Sequence, residues 1–221
     1  MRVVFLGDSL TEGMDGASYL RALGALVASD QRPGGVTLIN AGRGGDTVLH
    51  LIRRVARDVV SHAPDWVVIF VGVNDCRTWY VRRSFPTRAN LGSGYYFLRR
   101  KGLWRAVTPR RYGDGLRTLV DALQARTSAR IALCTPATAS EALDARAERM
   151  LDCYATQARE VASARNCPLI DIRAAFQAAA AARLRTDTPP TDYQLTCDGV
   201  HLSDAGADLV AGIFRDWLLT L

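Results

Sequence analysis

The sequence predicts an α/β fold, a three-layer α/β/α sandwich in which helices cover both faces of a five-stranded parallel sheet. Short apolar runs alternate with longer stretches of helical periodicity along the chain. The run Trp66–Val71 is apolar at every position, which is typical of a central strand covered on both faces. Alternation of strand and helix favours parallel strands, because each helix carries the chain back to the edge where the next strand starts.

Five short runs of β-branched and other apolar residues are predicted as strands. In chain order they are Val3–Leu6, Val36–Ile39, Trp66–Val71, Arg130–Cys134 and Pro168–Ile172. Polar or turn-forming residues follow each of them, so each run ends where a loop is expected.

Helices are predicted in the stretches that separate these strands. They cover about residues 19–28, 47–62, 112–126 and 141–165, an Ala-rich stretch after the fifth strand, and a last helix from about Ala205. In the second of them Val48, Leu51 and Val55 recur at three- and four-residue spacing, which indicates one buried face. The last helix carries apolar residues on a wide arc, which either covers the sheet or faces a partner subunit in a homodimer.

Composition and length indicate an ordinary globular chain. It has 221 residues, of which 48% are hydrophobic and 23% charged, and this excludes disordered, collagen-like and coiled-coil proteins. We expect a single domain over residues 1–221. The N-terminal run Val3–Leu6 is too short for a secretion signal, and no run of 18 apolar residues occurs, so a cytoplasmic protein without a membrane span is expected. Five cysteines without a C-x-x-C pair predict free, buried thiols.

The positive charge of the chain is concentrated in one segment. Ten basic residues and no acidic residue occur from Cys76 to Tyr112, and the rest of the chain has 18 basic and 22 acidic residues. Aromatic residues, Trp79 and Tyr80 among them, lie between the arginines. We interpret this basic segment, at about 76–112, as an insertion with three alternative roles: a substrate lid or pocket wall, a dimer or packing element, or a nucleic-acid surface. Nucleic-acid binding is the least favoured of the three, because the segment contains no recognisable binding fold.

Residues suited to catalysis follow several of the predicted strands. They are Ser9 in Gly-Asp-Ser-Leu after the first strand, Gly45 after the second, Asn74 in Gly-Val-Asn-Asp after the third, and Asp198 and His201 in Asp-Gly-Val-His beyond the fifth. Ligand sites of open parallel sheets form at the carboxyl ends of the strands. These residues are therefore expected to lie together at one edge of the sheet.

A serine needs a base to accept its proton before it becomes a good nucleophile. The chain has three histidines, and surface or capping roles are the ordinary interpretation of His50 and His62 because they lie in or at the end of a helix. His201 comes three residues after Asp198, a spacing that lets the carboxylate orient its ring. Gly45 can offer an unobstructed backbone N–H, and Asn74 an amide, to a developing oxyanion.

On these four blocks the chain resembles the SGNH hydrolases, also called the GDSL esterase/lipase family. The blocks occur in the family's order, and the resemblance covers essentially the whole chain. It implies a flavodoxin-like sheet of order 2-1-3-4-5. It also implies that Ser9 is the nucleophile, His201 the base, Asp198 its partner, and the Ser9 N–H, Gly45 and Asn74 the oxyanion hole. Asp8 and Asp75 are expected to anchor their loops by hydrogen bonds.

The activity implied is a serine esterase that hydrolyses carboxylic esters, with a bias to short acyl chains and with neither metal nor cofactor. The alternatives are a thioesterase or lysophospholipase acting on an anionic substrate, and a relative that transfers or binds acyl groups without hydrolysis. The α/β-hydrolase fold fits poorly, since its Gly-x-Ser-x-Gly turn would need glycine where Thr11 stands.

Overall fold

A computed structural model describes residues 1–29, 35–77, 107–138, 145–184 and 194–221. Its centre is a parallel sheet of five strands in the order β2-β1-β3-β4-β5. The strands are β1 (Arg2–Gly7), β2 (Thr37–Gly42), β3 (Trp66–Phe70), β4 (Arg130–Cys134) and β5 (Leu169–Ile170). The predicted fold class and the strand order are confirmed.

Seven α-helices are complete within the described residues. They are α1 (Ser9–Glu12), α2 (Tyr19–Ser29), α3 (Val48–Asp58), α4 (Pro109–Gln124), α5 (Ala145–Ala164), α6 (Ile172–Leu184) and α7 (Asp204–Leu219). A 3₁₀ turn covers Val60–His62, and residues 73–77 are also helical. α3 thus ends at Asp58, four residues before the predicted end at His62.

Two layers of helices cover the two faces of the sheet. Alternate strand residues point to opposite faces, so in β1 the side chains of Val4 and Leu6 pack with α3, α4 and α5, while those of Val3 and Phe5 pack with α2, α6 and α7. On the second face the rings of Phe5, Tyr19, Phe70 and Phe214 meet edge-on or tilted at centroid distances of 5.1–6.3 Å. Phe214 of α7 is fully buried. The wide apolar arc of α7 therefore covers the sheet.

Three element bounds differ from the prediction in ways that affect the edge of the sheet. β2 continues beyond Ile39 to Gly42, because it pairs with β1 up to Gly7. β5 is reduced to two residues, Leu169–Ile170. α4 begins at Pro109 rather than near residue 112, since the Thr108 side chain accepts a hydrogen bond from the Arg111 N–H and caps the helix there.

The central part of the basic segment, residues 78–106, lies outside the described residues, so the three interpretations of it stay predictions. Its end does belong to the core. Tyr112 of α4 is fully buried, and its hydroxyl donates to the carbonyl of Val71 at 2.9 Å. No helix among the described residues is long and apolar enough to cross a membrane. The five cysteines are free, but only Cys76 and Cys134 are buried, and Cys153 and Cys197 are exposed, so the expectation of buried thiols was wrong for these two.

Candidate active site

Ser9 lies at the sharp turn that joins β1 to α1. Asp8 caps the helix, accepting a hydrogen bond from the Leu10 N–H at 3.1 Å. The turn is tight enough to exclude a side chain at Gly7, where a Cβ would lie 2.0 Å from Thr11 Oγ1. Ser9 is 7% exposed, and its backbone N–H donates to no acceptor within the described part of the chain. The turn therefore presents both a hydroxyl and an N–H at the carboxyl edge of the sheet.

The His201 ring faces this hydroxyl. Ser9 Oγ lies 3.1 Å from His201 Nε2, and His201 Nδ1 lies 2.7 Å from Asp198 Oδ2. The other carboxylate oxygen of Asp198 accepts hydrogen bonds from the N–H groups of Val200 and His201 at 2.9 and 2.7 Å. The structure thus brings together three residues that are up to 192 positions apart in the sequence. The imidazole lies between the serine and the aspartate, where it can accept the serine proton.

The loop that carries His201 is tied to the segment before α2 at two points. The Ala17 N–H donates to the carbonyl of Leu202, and the Cys197 thiol donates to the carbonyl of Asp15 at 3.3 Å. Partial burial acts to raise the pKa of Asp198, but the hydrogen bonds from the His201 and Val200 backbone and the His201 ring outweigh it and lower that pKa. Asp198 therefore stays ionised at mildly acidic pH, and its carboxylate can hold the Nδ1 side of the His201 ring by a hydrogen bond.

Gly45 lies in the loop after β2 with a φ of +76°, in the left-handed region that favours glycine. Its N–H donates to none of the described residues. The preceding Gly44 donates its N–H to the carboxylate of Glu12, and a Cβ at Gly44 would lie 4.0 Å from that of Ser9. The loop therefore runs directly beside Ser9, with one N–H left for a ligand.

Asn74 lies in the first turn of the helical residues 73–77, which follow β3. Its amide nitrogen is 3.1 Å from the carbonyl of Asp46 and 3.4 Å from Asp8 Oδ2. The second distance is at the limit of a hydrogen bond. The structure thus places Asn74 next to the turn of Ser9 and the loop of Gly45, with its amide shared between these two segments.

Asp8 and Asp75 are buried carboxyls beneath these loops. Burial, reinforced by the nearby Asp46, raises the pKa of Asp8 to about 7 against the pull of the Leu10 N–H, and burial likewise raises that of Asp75. Both oxygens of Asp75 accept from the Val48 N–H at the start of α3, 3.2 Å away. Both residues therefore make the anchoring hydrogen bonds expected of them.

Sequence reasoning missed Arg54, a buried cation under the same loops. Arg54 is 6% exposed and donates to Asp46, Asp58 and two backbone carbonyls. The signal in the sequence that could have identified Arg54 is its position as a charged residue on the apolar helix face that Leu51 and Val55 define. His50 has the capping role expected of it, since its Nδ1 accepts from the Thr47 N–H at 3.0 Å.

A family model, that of the GDSL-like lipases and acylhydrolases, matches residues 5–209. The chain belongs to this family. An acetylxylan esterase of Geobacillus stearothermophilus is 27% identical over 96% of this chain and 91% of its own. A crystal structure of the acetyl xylan esterase AlAXEase is also 27% identical, with full coverage of both chains and a TM-score of 0.78. A lipase/acylhydrolase from Enterococcus faecalis is 25% identical over 98% of this chain and 94% of its own, with a TM-score of 0.71.

These similarities also identify the class of reaction. The GDSL family and its esterase members make this protein a carboxylic ester hydrolase, as the sequence predicted. Two variants of the Geobacillus enzyme, in which a serine and an aspartate are replaced by alanine, are described as catalytic mutants.

Proposed function

We propose that this protein is a serine esterase in which Ser9 is the nucleophile, His201 is the general base and Asp198 orients the His201 ring. The observation that carries this proposal is a pair of successive hydrogen-bond contacts. Ser9 Oγ lies 3.1 Å from His201 Nε2, and His201 Nδ1 lies 2.7 Å from Asp198 Oδ2. No other histidine in the described residues lies within hydrogen-bond distance of Ser9.

The reaction has two stages. His201 Nε2 takes the proton of Ser9 Oγ while the oxygen attacks the acyl carbonyl, and the protonated ring then gives that proton to the leaving alcohol. Water, deprotonated by the same ring, attacks the acyl-serine, and the ring then returns that proton to Ser9 Oγ as the acid is released. Throughout, Asp198 Oδ2 holds the Nδ1 proton, so that Nε2 is the nitrogen that exchanges protons with substrate and water.

The oxyanion of each tetrahedral intermediate is proposed to lie among the N–H groups of Ser9 and Gly45 and the amide of Asn74. The two backbone N–H groups donate to none of the described residues, which supports this role. Asn74 reaches the same place by rotating its amide away from Asp8 Oδ2, where the 3.4 Å contact is weak. Donors fixed in advance in this way stabilise the charge as it develops.

For the substrate we propose short acyl esters, with acetyl groups on the hydroxyls of a xylo-oligosaccharide as the leading candidate. The support is the similarity over the whole chain to AlAXEase and to the Geobacillus enzyme, one variant of which is described as an acetyl-xylooligosaccharide esterase. The thioesterase and lysophospholipase alternatives enter as outcomes of the test.

The test compares wild type with Ser9→Ala on p-nitrophenyl acetate, butyrate and octanoate and on acetylated xylo-oligosaccharide. We expect the highest kcat/KM on acetyl esters and a loss of about 10⁶-fold in kcat for Ser9→Ala. Ser61→Ala is the matched control, because Ser61 is exposed and lies before β3, at the opposite edge of the sheet. It is expected to keep wild-type rates.

Activity retained in Ser9→Ala would overturn the assignment of the nucleophile. A higher kcat/KM on octanoate, an acyl thioester or a lysophospholipid would overturn the acetyl preference and favour the corresponding alternative. Absence of turnover on every ester, together with stable acylation of Ser9, would identify a binding or acyl-transferring relative instead.

A further inference from the structure

Arg54 is an unusual residue for the place it occupies. It lies on the face of α3 that packs against the sheet, between the fully buried Leu51 and Val55, and only 6% of its surface is exposed. A cation in such a position is strongly destabilising unless it is paired and hydrogen-bonded. The hydrogen-bond partners of Arg54 therefore indicate which parts of the fold it holds in place.

Three of the four hydrogen bonds of Arg54 lead to other segments of the chain. Nη2 donates to the carbonyl of Gly7 and Nη1 to that of Ala41, both at 2.7 Å, and Nε donates to Asp46 Oδ2 at 2.8 Å. The fourth, from Nη1 to Asp58 Oδ2 at 2.8 Å, stays within α3. The guanidinium thus binds the ends of two adjacent strands and the loop that follows the second.

Two of these contacts, those with Gly7 and Asp46, adjoin a proposed oxyanion donor. Gly7 is two residues before Ser9, and Asp46 directly follows Gly45. The backbone carbonyl of Asp46 also accepts the hydrogen bond from the Asn74 amide at 3.1 Å. A shift of Asp46 would therefore displace the Gly45 N–H and the Asn74 amide together.

We infer that Arg54 is a positioning residue, which holds the Ser9 N–H, the Gly45 N–H and the Asn74 amide in the relative positions that bind the oxyanion. The inference rests on the proposed function, since it concerns the same site. Arg54 touches neither Ser9 nor the ester, and it acts through Gly7 and Asp46.

The geometry requires arginine and not merely a positive charge. A guanidinium presents five N–H donors in a rigid plane, and here Nε, Nη1 and Nη2 each reach a different segment. A lysine has a single nitrogen at the end of a flexible chain. Arg54→Lys would keep the charge next to Asp46 and Asp58, but it would lose the simultaneous hold on both strand ends.

The experiment compares Arg54→Lys, Asp46→Asn and Asp58→Asn with wild type. Asp46→Asn and Asp58→Asn each remove one carboxylate from the same guanidinium, and only the first of these carboxylates leads to the oxyanion loop. We measure kcat and KM on p-nitrophenyl acetate and the Ki of a boronic acid that forms a tetrahedral adduct with Ser9, at a temperature at which every variant is folded. The thermal unfolding midpoint of each variant is measured separately.

We expect kcat to fall about 10- to 100-fold in Arg54→Lys and Asp46→Asn, with KM within about twofold of wild type. The boronate Ki should rise by the same factor as kcat/KM falls, because the adduct, unlike the ground-state ester, carries the negative oxygen. Asp58→Asn should lower the unfolding midpoint and leave kcat within about twofold of wild type.

A purely structural role would give a different pattern. Lower unfolding midpoints with wild-type kcat in Arg54→Lys and Asp46→Asn, or an equal loss of kcat in Asp58→Asn, would overturn the inference. If Arg54→Lys does not fold, the comparison of Asp46→Asn with Asp58→Asn decides alone. Failure of the proposed function is recognised separately, by a wild type without esterase activity or by boronate binding that survives Ser9→Ala.

Discussion

The site is built from two regions that are held in very different ways. Ser9, Gly45 and Asn74 follow closely after the ends of β1, β2 and β3, above the buried Asp8 and Arg54. Asp198 and His201 lie on a loop that precedes α7, and the Asp198 side chain is 51% exposed. We call them the buried half and the exposed half of the site.

The difference matches what each half is proposed to do. Oxyanion donors must not move and must act where water does not screen them, so they belong on strand ends with fixed buried supports. A base must exchange protons with the leaving alcohol and with water, which requires contact with solvent. We therefore expect substitutions in the buried half to affect stability and activity together, and those in the exposed half to affect activity alone.

The largest effect is expected in the exposed half. His201→Ala should lower kcat on p-nitrophenyl acetate by about 10⁶-fold, because no other described histidine reaches Ser9. The free energy of unfolding should change by about 1 kcal/mol or less. His62→Ala, at an exposed position far from Ser9, should change neither quantity. A loss of several kcal/mol in His201→Ala would remove the distinction between the two halves.

The next effect is a pH dependence of stability that comes from Asp8 in the buried half. Its pKa is raised from 3.8 to about 7 in the folded chain. Between these values the folded chain keeps a proton that the unfolded chain has released, so stability falls as the pH rises. Relative to Asp8→Asn, the wild type should lose about 4 kcal/mol between pH 4 and pH 7.5, at 1.36 kcal/mol per pKa unit.

Urea unfolding of both proteins at several pH values measures this contribution. Other titrating groups contribute equally to wild type and variant, so they cancel in the difference. Parallel stability profiles for the two proteins would show that Asp8 is ionised in the fold at acidic pH, and that burial beneath the site does not control its charge.

Asn74→Ala should lower both kcat and the free energy of unfolding. Losing one oxyanion donor lowers kcat by about 10²- to 10³-fold. The carbonyl of Asp46 also loses its hydrogen bond, which should lower the free energy of unfolding by about 1–3 kcal/mol. Steady-state kinetics and urea unfolding on one preparation measure the pair. A loss of activity with unchanged stability would place Asn74 with the exposed half.

Asp198→Ala is expected to have the smallest of these effects, about 10²-fold on kcat. Fully buried triad carboxylates are worth about 10⁴-fold, but the Asp198 side chain is half exposed, so water can accept the Nδ1 proton of His201 in its place. Water can also accept the hydrogen bonds of the Val200 and His201 N–H groups, so the loop should keep its shape. A loss as large as that of His201→Ala would show that exposure does not weaken the charge.

Much of the fold and of the site follows from local sequence patterns. The apolar run at β3 and the three- and four-residue spacing in α3 are local signals, and both elements lie within the predicted stretches, although β3 ends one residue early and α3 four residues early. Three of the four motif blocks directly follow a strand, so the strand pattern alone placed Ser9, Gly45 and Asn74 at one edge. The Thr108-Pro109 start of α4 is also a local signal, but the surrounding arginines led to its being interpreted as part of the insertion.

Other features depend on contacts between distant segments. Asn40 and Gly42 are poor strand formers by themselves, and β2 includes them because the backbone of β1 supplies partners for their hydrogen bonds. Arg54 was interpretable from the sequence only as a charge on an apolar face. Its partners at Gly7 and Ala41 are 47 and 13 positions away, and strand pairing brings them together.

Local patterns of the sequence suffice to predict the α/β class, the edge of the sheet that carries the candidate site and the residues proposed for nucleophilic, basic and oxyanion chemistry, because periodicity and motif spacing are local properties. The distances between Ser9, His201 and Asp198, the burial that raises the pKa of Asp8, and the guanidinium contacts that join two strand ends to a loop arise from the folded chain. These depend on which distant backbone and side-chain groups exclude water from one another, and no local pattern encodes that.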